Sequence, residues 1–183
     1  IQETMQALLE LKEEGKIRAI GCSNVTPEQM DEYQSAGMLD SDQEPYSMLN
    51  RKKEETNLSY AAENNLALLA YSPLAQGLLT GKIGPERVFD EGDQRRNKSS
   101  FSVENRNAVM KLLDGFRPIA DAHGISLTQL AIAWTIAQRG CSHALAGART
   151  PDQAVENAAA GNVELGDDEL RAVTEAVENF SGK

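Results

Sequence analysis

The chain has 183 residues, 40% of them apolar and 25% charged, the make-up of a soluble globular protein forming one domain or part of a larger one. Its net charge of −10 is the wrong sign for a nucleic-acid surface, which needs a basic face. No run is long and apolar enough to cross a bilayer, no leader is visible before Ile1, and Cys22 and Cys141 fit no metal-binding spacing, so a reducing, cytoplasmic setting without a metal is expected.

Residues 3–14 read as a helix, with Met5, Leu8, Leu9 and Lys12 on one face and Gly15 as its stop. No strand precedes this helix, which leads to the expectation that a front half is missing. Residues 17–22 (Ile-Arg-Ala-Ile-Gly-Cys) read as a strand ended by Ser23-Asn24. Thr26, Pro27 and Gln29 then form a helix start with a capping box, and the helix runs to about Ala36 before Gly37. A weaker strand is expected from Asp42 to Tyr46, because Pro45 cannot donate to a ladder. A polar helix over 52–64 follows.

The run 66–71 (Leu-Ala-Leu-Leu-Ala-Tyr) is apolar until its last residue, which suits a strand buried on both faces of a parallel sheet. Pro73 stops it, and Ala75-Gln76-Gly77 are residues that let backbone N–H groups approach a ligand. Residues 78–101 lack periodicity and read as a long loop, functional or mobile, with at most a short helical turn. Apolar spacing marks a helix over 103–123, which Pro118 should kink or divide. Ser126 caps a helix to about Gln138 that is apolar almost all round and so well buried. A last strand at 142–146, a helix from Thr150-Pro151-Asp152 to about Ala160, and a final helix from Asp167-Asp168 complete the chain.

Strands alternating with helices imply parallel pairing. Four strands are too few for a common closed barrel but match half of a (β/α)8 barrel. All four strand ends carry polar or aromatic residues: Ser23-Asn24, Gln43 with Tyr46, Tyr71-Ser72, and Gly147-Ala-Arg149-Thr150. In a barrel that end is the active face.

Five segments, in order, resemble the aldo-keto reductase family. They are Ile17-Arg-Ala-Ile-Gly-Cys-Ser-Asn24; Gln43-Glu-Pro-Tyr46 with Leu49-Asn-Arg51; Ala70-Tyr-Ser-Pro-Leu-Ala-Gln-Gly-Leu-Leu-Thr-Gly-Lys82; Leu130-Ala-Ile-Ala-Trp134; and Gly147-Ala-Arg-Thr-Pro-Asp-Gln-Ala-Val-Glu-Asn157. The resemblance implies the C-terminal half of a TIM barrel, an α/β fold of four parallel strands with flanking helices in which residues 1–183 are a partial domain. It implies an NADP(H)-dependent oxidoreductase reducing aldehydes or ketones. By the same resemblance Ser23, Asn24 and Gln43 would bond the nicotinamide carboxamide, which needs both a donor and an acceptor. Tyr71 would stack on the nicotinamide ring and so orient it for hydride transfer. Ser72, Leu74 and Gln76 would hold the pyrophosphate. Arg149, Thr150, Gln153, Glu156 and Asn157 would take the adenosine end, at a helix start that favours an anion.

Many relatives carry Lys two residues before Arg149 and Arg at the position of Gln153. Here Gly147 and Gln153 leave Arg149 as the main cation for a 2′-phosphate, so NAD stays open beside NADP. The family's Tyr-Asn pair after the second strand is Tyr46-Ser47. The family's catalytic Asp, Tyr, Lys and His come from the first half of the barrel and have no match in this chain. His123 and His143 read as structural, and Tyr33, Tyr46 and Tyr60 are not the proton donor. The chain alone is therefore expected to be inactive and, with open sheet edges, to self-associate. Its expected partner is a small carbonyl substrate, with neither nucleic acid nor membrane. Two other readings stand beside this one: a non-catalytic cofactor-binding barrel resembling a potassium-channel β subunit, and a cofactor-free α/β scaffold.

Overall fold

The computed structural model describes residues 1–182. Among them, four parallel strands lie side by side in the order β1 (Gly21–Ser23), β2 (Ser41–Pro45), β3 (Ala67–Tyr71) and β4 (Cys141–Leu145). The helices are α1 (Gln2–Glu13), α2 (Pro27–Ala36), α3 (Ser59–Asn64), α4 (Val103–His123), α5 (Leu127–Ala137), α6 (Pro151–Ala159) and α7 (Asp167–Glu178). Pairing runs Ser23 to Gln43, Gln43 to Leu69, Pro45 to Tyr71 and Tyr71 to Leu145, so the four carboxyl ends form one edge. No helix of the described residues is long and apolar enough to cross a membrane.

Local chemistry explains most of these elements. Thr26 Oγ1 accepts from the Gln29 N–H and Gln29 Oε1 accepts from the Thr26 N–H, with Pro27 opening the helix, as the sequence predicts. Ser126 and Gln129 repeat the arrangement at α5. The interior of α5 is buried on nearly every side, and Trp134 is wholly enclosed, with its indole N–H donated to Thr174 Oγ1 at 3.0 Å. α4 continues through Pro118 rather than dividing there. One lost backbone bond is affordable in a helix of 21 residues whose inner face is anchored by Val109, Leu113, Phe116 and Ala120.

Three elements differ from expectation. β1 starts at Gly21 rather than Ile17, because the backbone before it is fastened by a side chain: the Ile20 N–H donates to Asp40 Oδ2 at 2.7 Å, and Lys12 Nζ reaches the same oxygen at 2.9 Å. The helix expected over 52–64 is in two parts, a π-helical turn at Glu54–Leu58 leading into α3. Glu54 there accepts from Tyr46 Oη at 2.6 Å and pairs with Arg51. The loop 78–101 is pinned: Arg106 donates to the Gly84 and Arg87 carbonyls at 2.8 and 2.7 Å, and Phe89 packs edge-on against Phe101 at 5.6 Å.

The sheet has unequal faces. Asp42, Glu44, Leu68 and Ala70 are fully buried beneath the helices, whereas Gln43, Leu69 and Tyr71 on the opposite face are half-buried. The wholly apolar run of β3 is thus enclosed on one face only in this chain. Gly140, at φ +90°, allows β4 to begin hard against the π-helical turn, since a Cβ there would collide with the Leu58 carbonyl.

Candidate functional site

The carboxyl edge of the sheet carries four of the five described non-glycine residues with left-handed backbone: Asn24, Ser72, Ala75 and Gln76, with φ between +47° and +56°. Such conformations persist only where the surroundings impose them, and they gather at functional sites. The fifth, Asn65, closes α3 in an ordinary helix stop.

At the β1–β2 side the predicted residues form a chain of hydrogen bonds. Tyr71 Oη donates to Asn24 Oδ1 at 2.7 Å, Asn24 Nδ2 donates to Ser23 Oγ at 2.9 Å, and Ser23 Oγ donates to the Gln43 carbonyl at 2.8 Å. The Gln43 side chain makes no hydrogen bond among the described residues. These groups form a shelf on the open face of the sheet, where a planar amide can find donors and acceptors together.

At the β3–β4 side lies a cleft of about 910 Å³. One wall is the turn after β3, with Ser72, Leu74, Gln76 and Gly77; the other is the β4–α6 turn and the first turns of α6, with Arg149, Gln153, Glu156 and Asn157. The α6 wall is held from within: Thr150 Oγ1 accepts from the Gln153 N–H at 3.3 Å, Gln153 Oε1 accepts from the Arg149 N–H at 2.8 Å, and Asn157 Nδ2 donates to the Gly147 carbonyl at 3.2 Å. Glu156 accepts from Ser126 Oγ at 2.6 Å and has Lys82 at 3.7 Å. Thr150 is therefore the cap of α6 and stands off the cleft lining, whereas the other four predicted adenosine-end residues line it.

The loop 78–101 supplies cleft residues that the sequence did not single out: Lys82, Arg87, Asp93 and Arg95. Arg95 pairs with Asp93, whose carboxyl it holds well below the usual carboxylate range, and it also donates to the Gln76 carbonyl at 3.3 Å. Lys98 Nζ reaches Gln76 Oε1 at 3.0 Å, so the loop braces the left-handed turn. The side chains of Arg87 and Arg149 have no hydrogen-bond or ion-pair partner among the described residues, which leaves two cations on the cleft wall for an anionic ligand. Only the presence of lysines and arginines in the loop could have signalled this, since its placement depends on Arg106 and Phe89.

The two histidines are placed differently. His123 Nε2 meets the Glu169 carboxylate at 2.9 Å, tying α4 to α7, as a structural histidine would. His143 lies on β4 opposite Leu69, on the open face. Cys22 and Cys141 are half-buried thiols whose pKa values burial pushes up to about 12 and about 11, so neither is poised as a nucleophile. Among the described residues no group of His, Cys, Asp and Glu could hold a metal ion.

The carboxyl edge of a parallel sheet, with a left-handed turn and a helix start along it, is where α/β folds place their ligands. The model of the Aldo/keto reductase family matches residues 1–178, and the chain belongs to that family. It is 40% identical, over 181 residues, to the NADH-specific methylglyoxal reductase of Escherichia coli (strain K12), covering 97% of this chain and 55% of that protein. It is 32% identical to a probable voltage-gated potassium channel subunit beta of Arabidopsis thaliana, covering 89% of this chain and 52% of that protein. Its fold superposes on the glycerol dehydrogenase of Gluconobacter oxydans with a TM-score of 0.91 and 34% identity, over 100% of this chain and 55% of that one. The chain thus spans about half the length of the relatives it matches.

Proposed function

We propose that this chain is the C-terminal half of an aldo-keto reductase barrel and binds a nicotinamide adenine dinucleotide along its carboxyl edge. The observation that carries the reading is the single cleft in which the left-handed turn at 72–77 faces Arg149 and the start of α6. The residues fit the group. The start of α6 and the Arg149 guanidinium beside it suit phosphates. Ser23, Asn24 and Gln43 offer the donors and acceptors of a carboxamide site, and Tyr71 an aromatic ring beside them. When bound, the cofactor supplies a hydride for reducing an aldehyde or ketone, and this chain's part is to hold and orient it. The proton donor and its partners belong to the other half of the barrel, so the chain alone binds without turning over.

NADP is the first choice of cofactor because Arg149 is free, and NAD is the alternative because Gln153 is engaged in the α6 cap. The relative named as NADH-specific supports keeping both. A second reading, a barrel that binds the cofactor without catalysis, is favoured by the likeness to potassium-channel β subunits. Recovery of the preceding coding sequence separates the two by the presence or absence of the catalytic tetrad. The direct test is calorimetric titration of the chain with NADPH and NADH. Saturable binding of at least one is expected; no heat with either overturns the proposal.

A further inference from the structure

Asn24 anchors the shelf, since it joins Tyr71 to Ser23, and its backbone sits at φ +56°. A left-handed residue relaxes to commoner conformations unless its neighbours prevent it. On the near side the Asn24 N–H donates to the Gln43 carbonyl at 3.3 Å, a long bond. The firmer hold comes from beyond it, through Val25. The Val25 N–H donates to Glu44 Oε1 at 2.9 Å, and the Val25 carbonyl accepts from Asn57 Nδ2, also at 2.9 Å. Both backbone polar groups of the residue after Asn24 are therefore held by side chains on the buried side of the sheet.

Those side chains are linked to one another, and Asp42 and Asn57 also accept from Cys22 Sγ and Thr56 Oγ1. Asn57 Nδ2 also donates to Asp42 Oδ2 at 2.7 Å, Asn57 Oδ1 accepts from Lys53 Nζ at 3.1 Å, and Lys53 lies 2.9 Å from Glu44 Oε2 in an ion pair not aligned as a hydrogen bond. Asp42, Glu44 and Asn57 are 0%, 0% and 1% exposed. Two carboxylates enclosed on one strand face are expensive, and apolar residues of similar size would stabilise the fold at least as well. Burial raises the Asp42 pKa, and Glu44 on the same face adds to the rise. What the polar set provides and an apolar one could not is directional hold on Val25. Asn57 lies inside the π-helical turn Glu54–Leu58, a rare geometry that concentrates where function requires it.

We propose that Asn57, with Glu44 and Asp42, is a positioning residue of the site: it clamps Val25 from beneath the sheet and so keeps Asn24 left-handed, with its carboxamide placed to meet a nicotinamide carboxamide. This rests on the cofactor reading above, but the clamp is measurable without a ligand. In the full chain, Asn57→Ala should speed hydrogen exchange at the Val25 amide by about tenfold, the scale of a local opening, and move the Asn24 carbon shifts away from left-handed values. Glu44→Gln, which keeps an oxygen acceptor for the Val25 N–H but loses the ion pair to Lys53, should change both signals less than Asn57→Ala does.

The ligand arm compares two probes. NADH carries a nicotinamide and ADP-ribose does not. Asn57→Ala should weaken NADH by about tenfold and ADP-ribose by no more than about twofold. A merely structural role would weaken both alike. Should Asn57→Ala fail to fold because Asp42 is stranded, Asp42→Asn combined with Asn57→Ala removes the stranded charge and is read in the same way. Unchanged Asn24 shifts and Val25 exchange in a folded variant, or equal losses for the two probes, overturn the inference. A wild-type chain that binds neither probe overturns the cofactor reading, while the exchange and shift measurements still decide the clamp.

Discussion

The two ends of the strand edge are built in opposite ways. At the β3–β4 end the chain encloses a cleft, and its walls come from segments distant in sequence: the turn at 72–77, the loop 78–101 and α6. Two arginines there, Arg87 and Arg149, make no side-chain hydrogen bond or ion pair among the described residues. At the β1–β2 end there is an open shelf, where the Tyr71, Asn24 and Ser23 side chains bond one another and end on the Gln43 carbonyl, while the Gln43 side chain bonds nothing among the described residues. In the proposed reading, the cleft holds the charged end of the cofactor within this chain. The shelf lies on the open face of the sheet, and no element of the described residues covers it. Anion binding needs only fixed donors and cations, whereas holding a flat ring in a reactive pose needs contacts on both of its faces.

The comparison predicts, first and with the largest effect, that residues 1–183 show no carbonyl reduction. The general acid of such a reaction is worth about 10²–10⁴-fold, and neither end of the edge offers a matched one. NADPH oxidation with a reactive aldehyde, followed by absorbance, checks this. Light scattering on the same sample tests the open architecture. The outer sides of β1 and β4 are unpaired among the described residues, and the open face holds Leu69, Tyr71 and the exposed Leu145. We propose that the chain self-associates through these edges. Robust turnover by a well-behaved monomer would remove both the missing proton donor and the division of labour between the two ends.

A smaller effect sharpens the cleft side. Arg149→Ala should weaken NADPH by about 1.5–3 kcal/mol, the range of a hydrogen bond to a charged group, and NADH much less. Equal losses for the two cofactors would show that Arg149 does not read the 2′-phosphate, and Arg87 would become the next cation to vary. On the shelf side the expected effect is smaller still. Tyr71→Ala should cost about 1 kcal/mol of cofactor affinity, the usual scale of an aromatic contact. Tyr71→Phe keeps the ring but drops the bond to Asn24, so comparing the two variants separates stacking from the hydrogen-bonded shelf. An unchanged dissociation constant in Tyr71→Ala would detach Tyr71 from the site.

What the sequence determined by itself is the part of the fold written in short-range chemistry. The last three strand runs, the Thr26–Gln29 capping box, the Ser126 cap and the all-round apolar α5 are each set by residues within a few positions of one another, and the structure forms them within a residue of where the sequence predicts them. The polar strand ends were legible for the same reason, since a strand and the turn that stops it are neighbours in the chain. What only the tertiary structure decided depends on contacts between distant residues. β1 yielded its first residues to Asp40, 20 positions away from Ile20. The loop 78–101 became a cleft wall because Arg106 ties its carbonyls down from α4. Asn57 reads as one polar residue in a polar helix, yet the π-helical turn brings it to the Val25 carbonyl and to the buried Asp42 carboxylate of β2. A hydrogen bond's partner is chosen by geometry in three dimensions, and no local pattern in the chain records that choice.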